Sequence, residues 1–401
     1  SIGVGTLAPS RASMAGLTLN ELATLWTYSL ALTLAVIVLA VLVHHVWSRP
    51  KAFRAGEVTA IYIYPLKSAR GISVKSATLD ERGLEFDRLW MAVDDDGTFL
   101  SQRRAPKLAL VEVSLPKTHA DPLQLRAPGA PPLSVPVVHE VAGTPTTSVR
   151  CWDDQCDAVD QGDEAAAWLA TVLGVRGARL VRMAKAHRRT CSPNYARAGS
   201  TTGFSDGFPI LLANDASLAE LCRRLVARGK APVPMNRFRP NLVFGGKGGK
   251  GGEGFEGGAP PFAEDGWAAV AIGQPWATSR TGLKDGSATD FGVVKPCARC
   301  KMPTIDQATG VPDGRRDACA VAKGSTDDGD EGGGPAAEAE PTATMRTFRT
   351  GKLLGYKKHG WRYAAPLQLE PCTRTRTRAP AGRGGRVGRL GGRLGVSGRR
   401  G

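Results

Sequence analysis

Cysteine is scarce, with eight residues at 151, 156, 191, 222, 297, 300, 319 and 372 in a chain of 401. That is too sparse for a secreted disulfide framework, and a reducing compartment fits it better. Acidic residues are missing from Arg374 to Arg400, where nine arginines sit among glycines. Those nine leave +7 of the formal net charge of +16 for the rest of the chain. This describes a mildly cationic body with a basic appendage, not a chain that is basic throughout as a nucleic-acid binder would be. No Cys-x-x-Cys-His haem attachment occurs, and no glycine turn between a strand and a helix offers a dinucleotide site. Any electrons for redox chemistry must then come from outside the chain. Gly245 to Pro261 (GGKGGKGGEGFEGGAPP) fails as a P-loop, because Gly249-Lys250 is followed by glycines where Ser or Thr is needed. It reads as a solvated loop, and internal repeats are absent.

What is present, 42% hydrophobic and 22% charged residues, is an ordinary globular composition with room for two or three modest domains. Leu22 to Val43 runs 22 residues without a charge, and a bilayer core of about 30 Å needs about 20 helical residues. A signal-peptide core is the rival reading, but no small-x-small cleavage site follows. His44, His45, Trp47, Arg49, Lys51 and Arg54 follow instead, which favours a transmembrane anchor with a cytosolic body. Ser1 is not methionine, so a processed or incomplete N terminus is expected ahead of the anchor, in segment 1–21.

From Glu57 short alternating runs, VTAIYIYPL, ISVKSATLD, RLWMAVDDDGTFL and LALVEVSL, read as strands. Asp96-Gly97 between two of them predicts a hairpin with a two-residue type I′ turn. Asp163 to Leu173 reads as a helix with Trp168, Leu169 and Leu173 on one face and Gly174 as its stop. Ser217 to Ala227 reads as a second, with Ser217 and Glu220 forming a capping box and Gly229 ending it. Asp317 to Pro341 reads as an acidic disordered insertion, and Trp90, Trp152, Trp168, Trp267 and Trp276 as core or pocket wall.

The strongest local signal is KPCARCKMPTIDQATG, residues 295–310, where Cys297 and Cys300 form a Cys-x-x-Cys beside Arg299 and Lys301. Nearby cations favour the thiolate, which is both nucleophile and metal ligand. A structural zinc site is one reading, with Cys151 and Cys156 as the only other close pair; a thioredoxin-like redox pair is a second, and two buried cysteines without a role a third.

At this motif the sequence resembles the MOSC-domain family, and within it the amidoxime-reducing components, molybdenum enzymes of the mitochondrial outer membrane. VTAIYIYPLKSARGISV and GLEFDRLWMAVDDDGTFLSQRRAPKLALV resemble the N-terminal β-barrel module; FSDGFPILLANDASLAEL, RFRPNLVFGG and CARCKMPTIDQATG resemble successive landmarks of the MOSC domain. The resemblance runs in order from about Glu57 to Tyr356. It implies a mostly β, α+β fold: an anchor at 22–43, a MOSC N-terminal barrel module at 57–150, and a MOSC barrel domain at 151–360 that includes the loop 245–261 and the insertion 317–341. An Arg/Gly-rich disordered tail at 361–401 follows.

For chemistry, the resemblance makes Cys300 the catalytic molybdenum ligand, a soft thiolate suited to that metal. The implied molybdenum cofactor, Mo-molybdopterin, carries a phosphate that needs cations and backbone donors. Lys67, Ser68, Arg88, Arg239 and Asn241 match the cofactor-binding positions, Arg299 would add a donor, and Asp206 lines the pocket or forms an Asx turn before Gly207. Taken alone, Arg88 beside Asp87 or Arg239 beside Arg237 reads equally as a surface ion pair. The implied reaction is reduction of N-hydroxylated compounds, amidoximes and hydroxylamines, with cytochrome b5 and NADH-cytochrome b5 reductase as electron donors. The implied location is the mitochondrial outer membrane with the body facing the cytosol; endoplasmic reticulum is the alternative, and nucleic acid is not expected as a partner.

The chain departs from the family at its end. Relatives continue past RTFRTGKLLGYKK into closing strands, whereas HGWRYAAPLQLEPC and the Arg/Gly stretch follow here, and no strand pattern is read in them. That tail resembles translated non-coding or alternatively spliced sequence, with an RNA-binding tail as the alternative. Without closing strands the barrel would keep unpaired edges and an open core. Two other functions therefore stand beside the reductase. One is a MOSC sulfur-carrier module with a persulfide on Cys300, disfavoured because no pyridoxal-phosphate-dependent desulfurase domain is seen upstream. The other is an inactive membrane-tethered splice form.

Overall fold

The computed structural model describes residues 19–47, 52–138, 140, 143–246, 258–273, 289–298, 301–313, 339–350, 364–371, 388–390 and 393–398. Segment 1–18, most of the glycine-rich loop and of the acidic insertion, Trp276, Arg299 and Cys300 lie outside the described residues.

There are two compact units, Ser1–Lys51 and Ala52–Gly401. The first holds helix α1 (Leu19–Trp47). Its stretch Ala23–Val43, 21 residues of mean hydropathy 2.3, is long and apolar enough to cross a membrane. It coincides with the expected anchor to within one residue.

The second unit begins with strands β1 (Ala52–Ile63), β2 (Ile72–Val74), β3 (Ala77–Asp80), β4 (Gly83–Leu84), β5 (Trp90–Val93) and β6 (Glu112–Ser114). β7 (Leu123–Ala127), β8 (Ala130–Val135), β9 (Thr147–Cys151), β10 (Asp154–Asp160), helix α2 (Asp163–Leu173), β11 (Arg179–Met183) and β12 (Ile210–Asn214) follow. Helix α3 (Asp215–Ala227), β13 (Leu242–Gly245), β14 (Trp267–Gly273), β15 (Thr289–Ala298) and the short helix α4 (Thr342–Arg346) come next. The last strands are β16 (Ala364–Pro371), β17 (Gly388–Leu390) and β18 (Arg393–Gly398). The fold is mostly β with flanking helices, as expected.

The largest sheet runs β13-β12-β16-β15-β14-β18-β1-β2, and β1 also pairs with β13, which closes seven of these strands into a barrel. All its pairings are antiparallel except β12 with β13. Closure leaves no free edge around the ring and lets alternate side chains fill the interior. Leu212, Leu242, Phe244, Val270, Phe291 and Leu369 are among the buried residues of this core. A four-stranded sheet, β5-β11-β10-β9, and two three-stranded sheets, β6-β7-β8 and β17-β3-β4, complete the unit. Helix α2 is tied to β8 by the Trp168 indole, whose Nε1 donates to Pro131 O at 2.7 Å. The expected boundary at residue 150 falls inside the β9–β10 hairpin.

Three expectations are corrected. Asp96-Gly97 does turn the chain, with Val93 bridged to Phe99, but only Gly97 has positive φ, at 71°. Gly97 N donates to Asp94 O and Asp94 N to Thr98 O, so the loop is one residue longer than a type I′ turn and Gly97 occupies its left-handed position. Helix α3 starts at Asp215, capped by the Asn214 side chain that accepts from Ala216 N. Ser217 lies inside the helix, donating from Oγ to Glu264 at 2.5 Å, and Glu220 pairs with Arg223 and Arg224, so no capping box forms. The tail is not without strands: β16 lies between β12 and β15, and β18 between β14 and β1. The apolar alternation of Leu367 and Leu369, and of Leu394 and Val396, is masked in composition by the surrounding arginines and glycines.

Candidate functional site

Residues 64–67 and 88–90 run side by side next to the barrel, held by Arg88 N to Tyr64 O at 2.7 Å, Trp90 N to Pro65 O at 3.0 Å and Lys67 N to Trp90 O at 2.8 Å. The loop 203–206 is laid on them by Phe204 N to Arg88 O at 2.8 Å. A Cβ on Gly203 would sit 2.8 Å from that carbonyl, so only glycine allows the approach. From below, Arg189, 5% exposed, donates to Gly203 O at 2.9 Å, to Ser205 O and to Asp154 at 2.8 Å.

Onto this frame five of the residues named by the resemblance converge. Lys67, 4% exposed, donates from Nζ to Phe204 O at 2.7 Å and to Asp206 Oδ1 at 2.8 Å. The same carboxylate oxygen accepts from Trp152 Nε1 at 3.2 Å, so Asp206 bonds to side chains. Arg88 bonds to Asp87, to Asn241 Oδ1 at 2.9 Å and to Arg239 O at 3.3 Å. Asn241 donates in turn to Asp87 Oδ1 at 2.9 Å and Tyr62 O at 3.1 Å. The Arg88 and Arg239 guanidinium carbons lie 4.2 and 4.4 Å from the centre of the Tyr64 ring, a double cation–π contact. Arg239 is 7% exposed; its Nη1 reaches Gln307 Oε1 at 3.4 Å, while its Nη2 is buried with no hydrogen-bond partner among the described residues. Ser68 joins the group through its backbone, its carbonyl accepting from Gln102 Nε2 at 2.7 Å.

Backbone strain gathers at the same place. Six non-glycine residues among those described have positive φ, and four of them, Ser68, Arg88, Trp152 and Arg239, belong to this cluster. Each such conformation costs about 1–3 kcal/mol and persists only where the surroundings impose it, a pattern found at functional sites. Electrostatics point the same way. Burial pushes the Arg239 guanidinium down to about 10, with the neighbouring Arg88 charge adding to the effect. Burial also pushes the Tyr64 phenol up to about 12 and raises Asp87 against the pull of Arg88. For Asp206 the crowding that would raise it is outweighed by the Lys67 ammonium, which holds the carboxyl well below the usual carboxylate range. Its side chain is 59% exposed, so it is a fixed anion at the surface of the cluster.

Arg299 and Cys300 fall outside the described residues, but both flanks are placed. Cys297 is half-buried near the end of β15, and the 3-10 helix Met302–Thr304 follows. Arg237, buried, grips that second flank by donating to Pro303 O at 3.2 Å and Asp306 Oδ2 at 2.8 Å. Cys151 and Cys156 lie buried on the β9–β10 hairpin, and burial pushes the Cys156 thiol up to about 12, which disfavours the free thiolate near neutral pH. Sequence reasoning passed over Tyr64, Asp87, Gln102, Arg189 and Gln307 as site residues. Tyr64 and Gln307 lie inside the motif segments YPLKS and DQATG, whereas nothing in the local sequence sets Gln102 or Arg189 apart.

The donor set suits an anion. Lys67, Arg88 and Arg239 place three cations against Asp87 and Asp206, and Nη2 of Arg239, unsatisfied among the described residues, is a buried donor that a phosphate would satisfy. The residues present therefore fit the phosphate of a pterin cofactor.

Comparison with known proteins agrees with this arrangement. Residues 55–176 match the MOSC N-terminal beta barrel domain and residues 199–329 match the MOSC domain. The mitochondrial amidoxime-reducing component 1 of Mus musculus is 30% identical over 302 residues, covering 72% of this chain and 78% of that protein. The mitochondrial amidoxime reducing component 2 of Rattus norvegicus is 29% identical over 303 residues, 72% of this chain and 79% of that one. A molybdenum cofactor sulfurase of Danio rerio is 30% identical over 270 residues, 63% of this chain but 28% of its own length. These names support a function related to the molybdenum cofactor. With both domains matched in order, and a relative aligned over more than three quarters of its length, the chain belongs to the MOSC-domain family.

Proposed function

We propose that this protein is a molybdenum-cofactor-dependent reductase of N-hydroxylated compounds such as amidoximes and hydroxylamines, held in the mitochondrial outer membrane by α1 with its body in the cytosol. Cytochrome b5 and NADH-cytochrome b5 reductase supply its electrons. The observation that carries the reading is Arg239 Nη2, buried and without a hydrogen-bond partner among the described residues, in a cluster with Arg88 where both arginines sit on left-handed backbone that only a constrained site maintains. Relatives named for amidoxime reduction align over 302 and 303 residues, the sulfurase over 270.

Arg239, Arg88 and Lys67 would hold the cofactor phosphate, and Cys300 would give its thiolate to the metal. When bound, the molybdenum cofactor would supply two-electron redox chemistry for N–O reduction. The chain's own side chains bind and orient. Tyr64 keeps both guanidiniums against its ring, and Asn241 and Asp87 fix the direction of Arg88. Asp206, ion-paired with Lys67, accepts hydrogen bonds from Lys67 Nζ and Trp152 Nε1.

Molybdenum and pterin content of the purified full chain, for the wild type and Cys300→Ala, test the reading together with amidoxime reduction by NADH, cytochrome b5 and its reductase. Near-stoichiometric molybdenum and turnover in the wild type, with turnover lost in Cys300→Ala, are expected. Labile sulfane sulfur without molybdenum would replace the reductase by a sulfur carrier, and neither would leave an inactive tethered protein.

A further inference from the structure

Gln102 and Gln307 stand 205 residues apart in sequence and are 0% and 6% exposed. Their side-chain amides meet head to tail: Gln102 Nε2 donates to Gln307 Oε1 at 3.0 Å, and Gln307 Nε2 donates to Gln102 Oε1 at 2.8 Å. The second proton on each nitrogen is also used, by Ser68 O at 2.7 Å for Gln102 and by Ile305 O at 3.0 Å for Gln307. Gln307 Oε1 takes a further bond from Arg239 Nη1 at 3.4 Å, and the Gln307 main-chain oxygen accepts from Arg70 Nη2 at 3.3 Å. The pair thus touches two of the strained positions of the cluster, Ser68 and Arg239, one through each partner.

A buried amide pair with every proton used is satisfied in one geometry only, and a small displacement leaves a donor or acceptor without a partner. The constraint here spans three segments: the strained turn at Ser68, the cation Arg239, and residues 301–307 directly after Cys300. With Nη1 of Arg239 engaged on Gln307, both N–H groups of the buried Nη2, which have no partner among the described residues, are left for an incoming anion.

We infer that the Gln102–Gln307 amide pair is a positioning device that locks Ser68, Arg239 and the segment following Cys300 into one anion-holding unit. The inference rests on the cofactor reading for the identity of the anion; the locking itself depends only on the pair's hydrogen bonds. It predicts that anion binding and retention of the metal respond together to either glutamine, although neither touches the anion.

The test uses the full-length protein as wild type, Gln102→Met, Gln307→Met and the double variant. Methionine approximates glutamine in volume without its hydrogen bonds. Each single variant strands the partner glutamine's amide and lowers Tm; the double variant removes that mismatch but leaves Ser68 O, Ile305 O and Arg239 Nη1 without their glutamine partners, so it regains only part of the loss. A purely structural pair would regain phosphate binding and metal retention in step with Tm. The positioning role predicts otherwise: in all three variants molybdenum is released on desalting about tenfold faster, and on the full-length protein depleted of cofactor the binding of inorganic phosphate, read from its stabilising shift in Tm, weakens by about tenfold. A double variant that binds phosphate and keeps molybdenum as the wild type does overturns the inference and leaves the cofactor reading intact. A wild type without molybdenum, whose phosphate binding still weakens in the variants, keeps the inference and overturns the cofactor reading. A wild type that neither binds phosphate nor holds molybdenum overturns both.

Discussion

Truncating Leu369 to alanine decides whether the C-terminal strands belong to the barrel. Leu369 is 0% exposed and lies in β16 opposite Val293 of β15 and Ile210 of β12. Removing a fully buried leucine side chain loses its transfer free energy and leaves a cavity, together about 2–5 kcal/mol. A body larger than 250 residues shifts its Tm by about 2 °C per kcal/mol, so Leu369→Ala should melt about 4–10 °C lower. Leu212→Ala in β12 is the internal standard, because Leu212 is equally buried, faces Leu367 of β16 and lies inside the MOSC match. Differential scanning fluorimetry on the detergent-solubilised full chain reads both. Comparable shifts are expected. A large shift for Leu212→Ala and none for Leu369→Ala would remove β16 from the barrel and return the tail to the status of an unstructured appendage. The outcome bears on the site as well, since β15, which β16 flanks, leads into Cys300.

Two further outcomes follow from named contacts. A Cβ on Gly71 would overlap the edge of the Tyr64 ring, so Gly71→Ala must shift the ring on which Arg88 and Arg239 lie. A loss of about 1–3 kcal/mol in stability is expected, with weaker phosphate binding by the same thermal assay; an unchanged phosphate response would show that Tyr64 does not set the guanidiniums. Glu264 is buried and accepts hydrogen bonds from the neutral Ser217 and Asn214 side chains, and burial raises its carboxyl above the usual glutamate range. A raised native pKa means that the folded state holds the proton more tightly, so this stability is full below about pH 4.3 and is lost as pH rises through the folded value. Glu264→Gln should therefore melt with the wild type near pH 4 and above it at pH 8, and parallel melting curves across that range would contradict the assignment.

Much of the architecture is legible locally. Helix α2 occupies Asp163–Leu173 as its apolar face and Gly174 indicate, because helix periodicity and a left-handed stop, with Gly174 at φ 70°, act within a few residues. The start of α3 is not, since Ser217 is drawn away from capping by Glu264, 47 residues on. The strands β16 and β18 were obscured by the composition around them, and only pairing with β12, β15, β14 and β1 makes them strands. At the site, Lys67, Arg88, Asp206, Arg239 and Asn241 are legible through their motif segments, while Gln102 and Arg189 are not, because a neutral amide or one arginine among many carries no pattern until its partners are known.

The sequence by itself determined the apolar helix near the N terminus, the alternation of short strands and the Cys-x-x-Cys motif, all properties of neighbouring residues. The tertiary structure decided that Arg239 is buried with its Nη2 unmatched among the described residues, that Arg88 shares Asp87 with an asparagine 153 residues away, and that two glutamines 205 residues apart hold the cluster together. Desolvation and hydrogen bonding depend on what surrounds a group in space, and those neighbours come from distant parts of the chain only once the barrel has closed.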